Sequence, residues 1–220
     1  DDSIVNSPYL FLVRDAHGDQ LAAVRPIVAF QGETGAFSER AAALLVEGQL
    51  SLLPCDTFDA AVRAVVNGNA DYAVIPIENL IAGPVHAAID ALAQFPSLER
   101  VRVLALPVRM ALMGLPNATI GQVREVMSHP VALKQVTKFL AEHPAIRAVE
   151  APDTAGAARM VAIRREPSVA AIAAPWAAKH YGLSILAEGL EDRPDNATTF
   201  VLVRRALNAP DAQAVARESS

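Results

Sequence analysis

Short apolar runs alternate with helix-like patterns along most of this chain, and that alternation confines it to a parallel β/α architecture. Residues 27–30, 50–53 and 71–75 are strand-like. Between them a helix opens near Ser38 and runs through Ala41 to Leu45. A second helix, which Asp56 or Thr57 can cap, places Phe58, Val62 and Val65 or Val66 on one face before Asn67-Gly68 stops it. The pattern resumes with strands over 123–127, 147–150, 169–173 and 184–188. Helices over about 131–142, from Thr154 onward, and over 175–180 separate them, the last closed by Gly182. Strands over 101–106 and 110–113 flank Pro107, where the chain is expected to cross into a second lobe. The expected fold class is therefore α/β: two β/α lobes joined by two crossings, with a cleft between them. Lobe 1 spans about 26–106 plus 193–205, and lobe 2 about 107–192. Residues 1–25 form an N-terminal extension, with a hairpin-like pattern at 9–13 and 21–24 around Ala16-His17-Gly18-Asp19. Residues 206–220 read as a disordered polar tail.

Ligands in such sheets bind beyond the carboxyl ends of the strands, so the junctions after each strand are the places to look for chemistry. Gly32 to Ser38 leads from a strand into a helix N-terminus, whose first N–H groups lack internal partners and favour an anion; the two glycines also suit a plain tight turn. Pro76-Ile77-Glu78-Asn79 ends the third strand, and Asn79 can serve a site or cap a helix. At Ser128-His129-Pro130 the serine can cap and the proline suits the first helical position, with Gln135 farther along. Asp153-Thr154-Ala155-Gly156 is a cap followed by small residues that admit a ligand or allow close packing. In 191–200 a polar loop containing Asn196 hands over to a strand at Thr198. The position suits a reactive hydroxyl, and equally an Asx-turn before β-branched strand residues.

Net charge narrows the partner. The chain carries −5 with a pI near 5.5, so it offers neither a basic footprint for nucleic acid nor a polybasic membrane anchor. A small-molecule substrate fits best. Cys55, the single cysteine, excludes an intramolecular disulfide and a cysteine-based metal cluster, and suits a reducing cytoplasm. No apolar run reaches membrane-spanning length.

Together with Tyr181-Gly182-Leu183, these five stretches resemble, in order and spacing over roughly 26–205, the catalytic domain of prephenate dehydratase. The resemblance implies a periplasmic-binding-protein-like type II topology and decarboxylating dehydration of prephenate to phenylpyruvate in L-phenylalanine biosynthesis. It also implies a cytoplasmic homodimer without cofactor or metal. It casts Thr198, Glu78 and Asn79 as catalytic, with Thr198 donating to the departing hydroxyl. Gly35, Ala36, Phe37, Ser38, Ser128, His129, Gln135, Thr154, Ala155 and Phe200 become the substrate-binding set. Family members commonly add a C-terminal phenylalanine-binding regulatory domain, and 206–220 is expected to be too short and polar to be one. The chain departs from the family at Leu80, where a serine is usual, and at Thr199, where an arginine is usual. The second departure is expected to remove an attractive charge from a dianionic substrate, with Lys134 a candidate replacement. Two other outcomes stay open: decarboxylation of prephenate without aromatisation, and a binding module that senses a small carboxylate.

Overall fold

The computed structural model describes residues 25–206, so the hairpin-like pattern near the N-terminus and nearly all of the polar tail lie outside the described residues. The first sheet contains β1 (Ile27–Gln31), β2 (Ser51–Cys55), β3 (Tyr72–Asn79), the two-residue β4 (Gly83–Pro84), β5 (Leu98–Pro107) and β11 (Ala197–Arg205). Its order is β2-β1-β3-β11-β5, with β4 on β3. The second contains β6 (Ala111–Gly114), β7 (Glu125–Ser128), β8 (Arg147–Glu150), β9 (Val169–Ala173) and β10 (Ser184–Glu188), ordered β10-β6-β9-β7-β8. Each sheet has three parallel strands in the order second, first, third. The next strand is antiparallel and has just arrived from the other lobe: β11 beside β3, and β6 beside β9. This repeated order is the type II arrangement of periplasmic-binding-protein-like folds.

Helices α1 (Phe37–Leu45), α2 (Phe58–Val66) and α3 (His86–Ala93) cover the first sheet. The second carries α4 (Pro130–Leu133), α5 (Thr137–Glu142), α6 (Thr154–Arg164) and α7 (Pro175–Tyr181). Alanine dominates both interfaces. Ala29, Ala61 and Ala73 are fully buried in lobe 1, and Ala157, Ala158 and Ala177 in lobe 2, so helices seat close to the strands. The two crossings bond side by side: Val108 N–H donates to Asn196 O at 2.9 Å and Leu190 N–H to Met110 O at 3.1 Å. The buried Glu191 carboxylate accepts from Met110 N–H at 2.9 Å and meets the Arg109 guanidinium at 3.4 Å.

Three local expectations change. The helix over 131–142 is two short helices, because Asp192 takes the N–H groups of Thr137 and Lys138 at 2.8 and 2.9 Å and starts α5 afresh. Gln135 therefore stands in a break rather than on a helix face. Burial works against ionisation of Asp192, but these N–H groups and the Thr137 hydroxyl outweigh it and hold the carboxyl below its ordinary range. The third strand does not stop at Ile75. It continues to Asn79, and the register shift opposite Thr199 and Phe200 leaves Ile77 as an extra residue beside Pro76, a bulge that accommodates a residue without an N–H donor. Finally, His129 rather than Ser128 caps α4, its Nδ1 accepting from Val131 N–H at 3.2 Å.

Candidate functional site

The carboxyl ends of β1 and β3 face those of the second sheet across a cleft of about 740 Å³, with both lobes and the Val108–Met110 crossing in its walls. Its polar centre is built on β3 and β11. The Thr198–Asn79 pairing in that ladder sets the two side chains next to each other, and Asn79 Nδ2 donates to Thr198 Oγ1 at 2.9 Å. The orientation of the Asn79 amide is dictated by its other partners: Oδ1 accepts the N–H groups of Ile81 at 3.1 Å and Ala82 at 2.9 Å, which leaves Nδ2 facing the threonine. One lone pair of the Thr198 hydroxyl is thus engaged, and its proton is free to be donated into the cleft. Gln135 closes the arrangement from lobe 2. Its Nε2 lies 3.4 Å from Asn79 Oδ1, and its Oε1 accepts from Nδ2 of Asn196 at 2.9 Å. Asn196 is 1% exposed, so this side chain from the return crossing is a structural member of the site.

Three helix N-termini reach the same space: α1 through Phe37 and Ser38, α2 through Thr57 and Phe58, and α6 through Thr154. Ala36, the N-cap of α1, supplies no side-chain cap, whereas Thr57 and Asp153 cap α2 and α6 by accepting from Ala60 N–H at 3.1 Å and Gly156 N–H at 2.7 Å. His129 also lines the cleft, its Nδ1 engaged by the Val131 N–H. Three carboxylates, Asp56, Asp59 and Asp153, share the lining, and among the described residues no lysine or arginine does. Among the described lining residues the groups suited to an anion are therefore backbone amides at the helix N-termini. Among the described residues no group of three or more His, Cys, Asp or Glu side chains has the geometry to hold a metal ion.

Of the expected site residues, Asn79, Ala36, Phe37, Ser38, His129, Gln135, Thr154 and Thr198 line the cleft. Five others lie outside its lining. Glu78 neighbours Asn79 on a strand, so its side chain takes the opposite face and is exposed. Ser128 is fully buried, its hydroxyl donating to Ile172 O at 2.6 Å. Phe200 is 2% exposed in the lobe 1 core, and Ala155 is buried against Phe30 and Ala36. Gly35 turns toward Ala177 and Tyr181 instead of the cleft. Lys134 is likewise absent from the cleft and borders a separate pocket of about 200 Å³ with Asn196 and Arg193. Sequence reasoning missed Asn196, which reads as a turn residue, the carboxylate of Asp56, which reads only as a helix cap, and that of Asp59.

The fold and site define a two-lobed, type II periplasmic-binding-protein-like domain whose interlobe cleft is centred on an amide-held threonine hydroxyl. The chain belongs to the prephenate dehydratase family, whose family model matches residues 28–208. It is 39% identical over 212 residues to arogenate dehydratase 1 of Petunia hybrida, covering 92% of this chain and 48% of that protein. The crystal structure of prephenate dehydratase from Arthrobacter aurescens in complex with L-Phe superposes with a TM-score of 0.76 at 34% identity, over 84% of this chain and 62% of that one. A structure described as GqqA, a novel type of quorum quenching acylase, superposes with a TM-score of 0.72 at 35% identity, over 84% and 66%. The chain spans about half the length of the curated relatives it matches. Among the described residues, no helix is long and apolar enough to cross a membrane.

Proposed function

We propose that this domain catalyses the decarboxylating dehydration of prephenate to phenylpyruvate. In that reaction the ring C–COO⁻ bond breaks, its electron pair enters the ring, and the C–O bond opposite breaks. CO2 and hydroxide leave, and the hydroxide is protonated to water. Aromatisation drives the step, so the protein needs only to hold the carboxylates and stabilise the departing oxygen. The observation that carries this reading is the Thr198 hydroxyl, held as an acceptor by Asn79 with its proton free toward the cleft. A preorganised donor of this kind is worth about 10²–10³-fold in turnover. The N-termini of α1, α2 and α6 supply backbone donors for the carboxylates.

A second reading is favoured by the charge of the lining. Asp56, Asp59 and Asp153, with no cationic side chain among the described lining residues, suit a substrate that bears an ammonium group, and arogenate differs from prephenate in carrying one where prephenate has a keto group. The chemistry at the ring would be the same and the product would be phenylalanine. Acyl transfer, which the acylase relative brings to mind, fits less well: a nucleophilic threonine needs a base beside it, and Asn79 is a neutral amide. Localisation in the cytoplasm and a homodimer belong to this proposal as well. The test is incubation with prephenate and with arogenate, followed by chromatography. Phenylpyruvate supports the first reading and phenylalanine the second. A non-aromatic decarboxylated acid, or no product from either, overturns both.

A further inference from the structure

The turn that delivers the α1 N-terminus to the cleft is held by the opposite lobe. From that turn, the Thr34 carbonyl accepts the Tyr181 hydroxyl of α7 at 2.6 Å. Glu33 pairs in two-pronged fashion with the Arg159 guanidinium of α6: Nη2 reaches Oε1 at 2.8 Å while Nε bonds Oε2. Gly35 sits at φ +92°, and a Cβ there would meet the Ala177 Cβ at 3.2 Å and its Cα at 3.3 Å. The Phe37 ring then meets Trp176 edge-on, with centroids 5.3 Å apart, and Ala36 is buried with Phe30 against Ala155 of α6. None of Glu33, Arg159 and Tyr181 lines the cleft, yet the next residues along the turn, Ala36, Phe37 and Ser38, do.

We propose that Tyr181, Arg159 and Glu33 are positioning residues: they latch the 32–37 turn onto α6 and α7 and so set Phe37, Ser38 and the α1 N-terminus against a bound substrate. The Glu33–Arg159 pair is roughly half exposed, so alone it contributes little. The half-buried tyrosine hydroxyl and the glycine-on-alanine contact fix the register of the turn. Substrate enters when the latch is released and is clamped when it re-forms. The reacting hydroxyl, held by Asn79 on a different stretch of chain, is left in place throughout. Loss of the latch therefore weakens substrate retention more than the chemical step.

Trp176 is the only tryptophan in the chain and sits in the latch, so acrylamide quenching of its fluorescence reports release without any substrate. Tyr181→Phe keeps the ring against Gly35 and removes only the hydrogen bond. It should raise quenching in the ligand-free protein and raise KM about fivefold, the equivalent of one ordinary hydrogen bond, with kcat within twofold. Arg159→Glu, which sets two carboxylates against each other, should do the same to a smaller extent, and Glu33→Lys combined with it should restore wild-type quenching. Unchanged quenching in both single variants, or a double variant as open as Arg159→Glu, overturns the latch. The KM effect rests on the proposed lyase activity, whereas quenching does not. Opened variants in a protein that turns over neither prephenate nor arogenate would support the latch and refute that activity.

Discussion

Glu78 and Thr199 stand opposite each other in the β3–β11 ladder, one position along from the Asn79–Thr198 pair. Side chains alternate along a strand, so the two pairs lie on opposite faces of the sheet. The arginine that the family usually has at position 199 would therefore stand across from Glu78 and not in the cleft. Its absence removes a cross-strand partner of Glu78, and Thr199 itself does not line the cleft. Thr199→Arg should raise the unfolding free energy by about 0.2–1 kcal/mol, the range for a favourable cross-strand pair, and the gain should fade in high salt. KM should stay within twofold. Urea titrations at low and high salt, with steady-state kinetics, check both.

Asn79 and Thr198 form one hydrogen-bonded unit. Thr198→Ala should lower kcat about 10²–10³-fold while the fold persists, because the position is half-buried on a strand that loses only a hydroxyl and a methyl. Asn79→Asp is more informative. It puts an acceptor where Nδ2 now donates, so the Thr198 proton turns toward the carboxylate and away from the leaving oxygen. The fall in kcat should match that of Thr198→Ala, and combining the two changes should cost little more than either alone. Additive losses in a double-mutant kinetic cycle would show that the two residues work separately.

Much of this was legible because the strands are short, apolar and bounded by polar junctions. Arg147–Glu150, Val169–Ala173 and Ser184–Glu188 fall where periodicity puts them, and Asp153 and Gly182 close their helices as their residue types require. What periodicity cannot carry is contact between distant segments. Asp192 splits the helix near Gln135 from 55 residues away, and nothing local in 131–142 announces it. Asn196 spends its amide on Gln135 instead of an Asx-turn, a choice made by burial. The same reasoning separates Asn79 from Glu78: strand alternation assigns them to different faces once Pro76 is known to lie within β3 and not at its end.

Burial, followed by the nearby Glu33 carboxylate, pushes the Tyr181 hydroxyl up to about 12 from its ordinary value near 10. Between those values the unfolded chain has lost this proton and the folded protein still holds it, so the contribution is fully present below about pH 10 and falls away as pH rises toward 12. Wild type should therefore lose more thermal stability than Tyr181→Phe across that window, and the two should run parallel between pH 7 and 9. Melting curves over pH 7–12 read the difference. Equal slopes above pH 10 would show that the Tyr181 phenol is not shielded in solution.

The proposed function makes the cleft carboxylates the determinant of substrate preference, and Asp153 allows that to be tested without disturbing the scaffold. It lines the cleft and caps α6 by accepting from Gly156 N–H at 2.7 Å. Asparagine caps a helix about as well as aspartate, so Asp153→Asn removes the charge and keeps the hydrogen bond. Repulsion between one partly solvated carboxylate and a nearby anion is about 1 kcal/mol at short range in a water-like dielectric. The substitution should therefore lower KM for dianionic prephenate about fivefold. If an ammonium group is held near the N-terminus of α6, KM for arogenate should rise by a similar factor, so the ratio of the two specificity constants moves about 25-fold. Asp59→Asn should move it less, because Asp59 already shares its charge with Arg63 at 2.6 Å. Parallel kinetics on the two substrates measure the ratio. A ratio unchanged by Asp153→Asn would mean that the carboxylate does not sense the side-chain charge of the substrate.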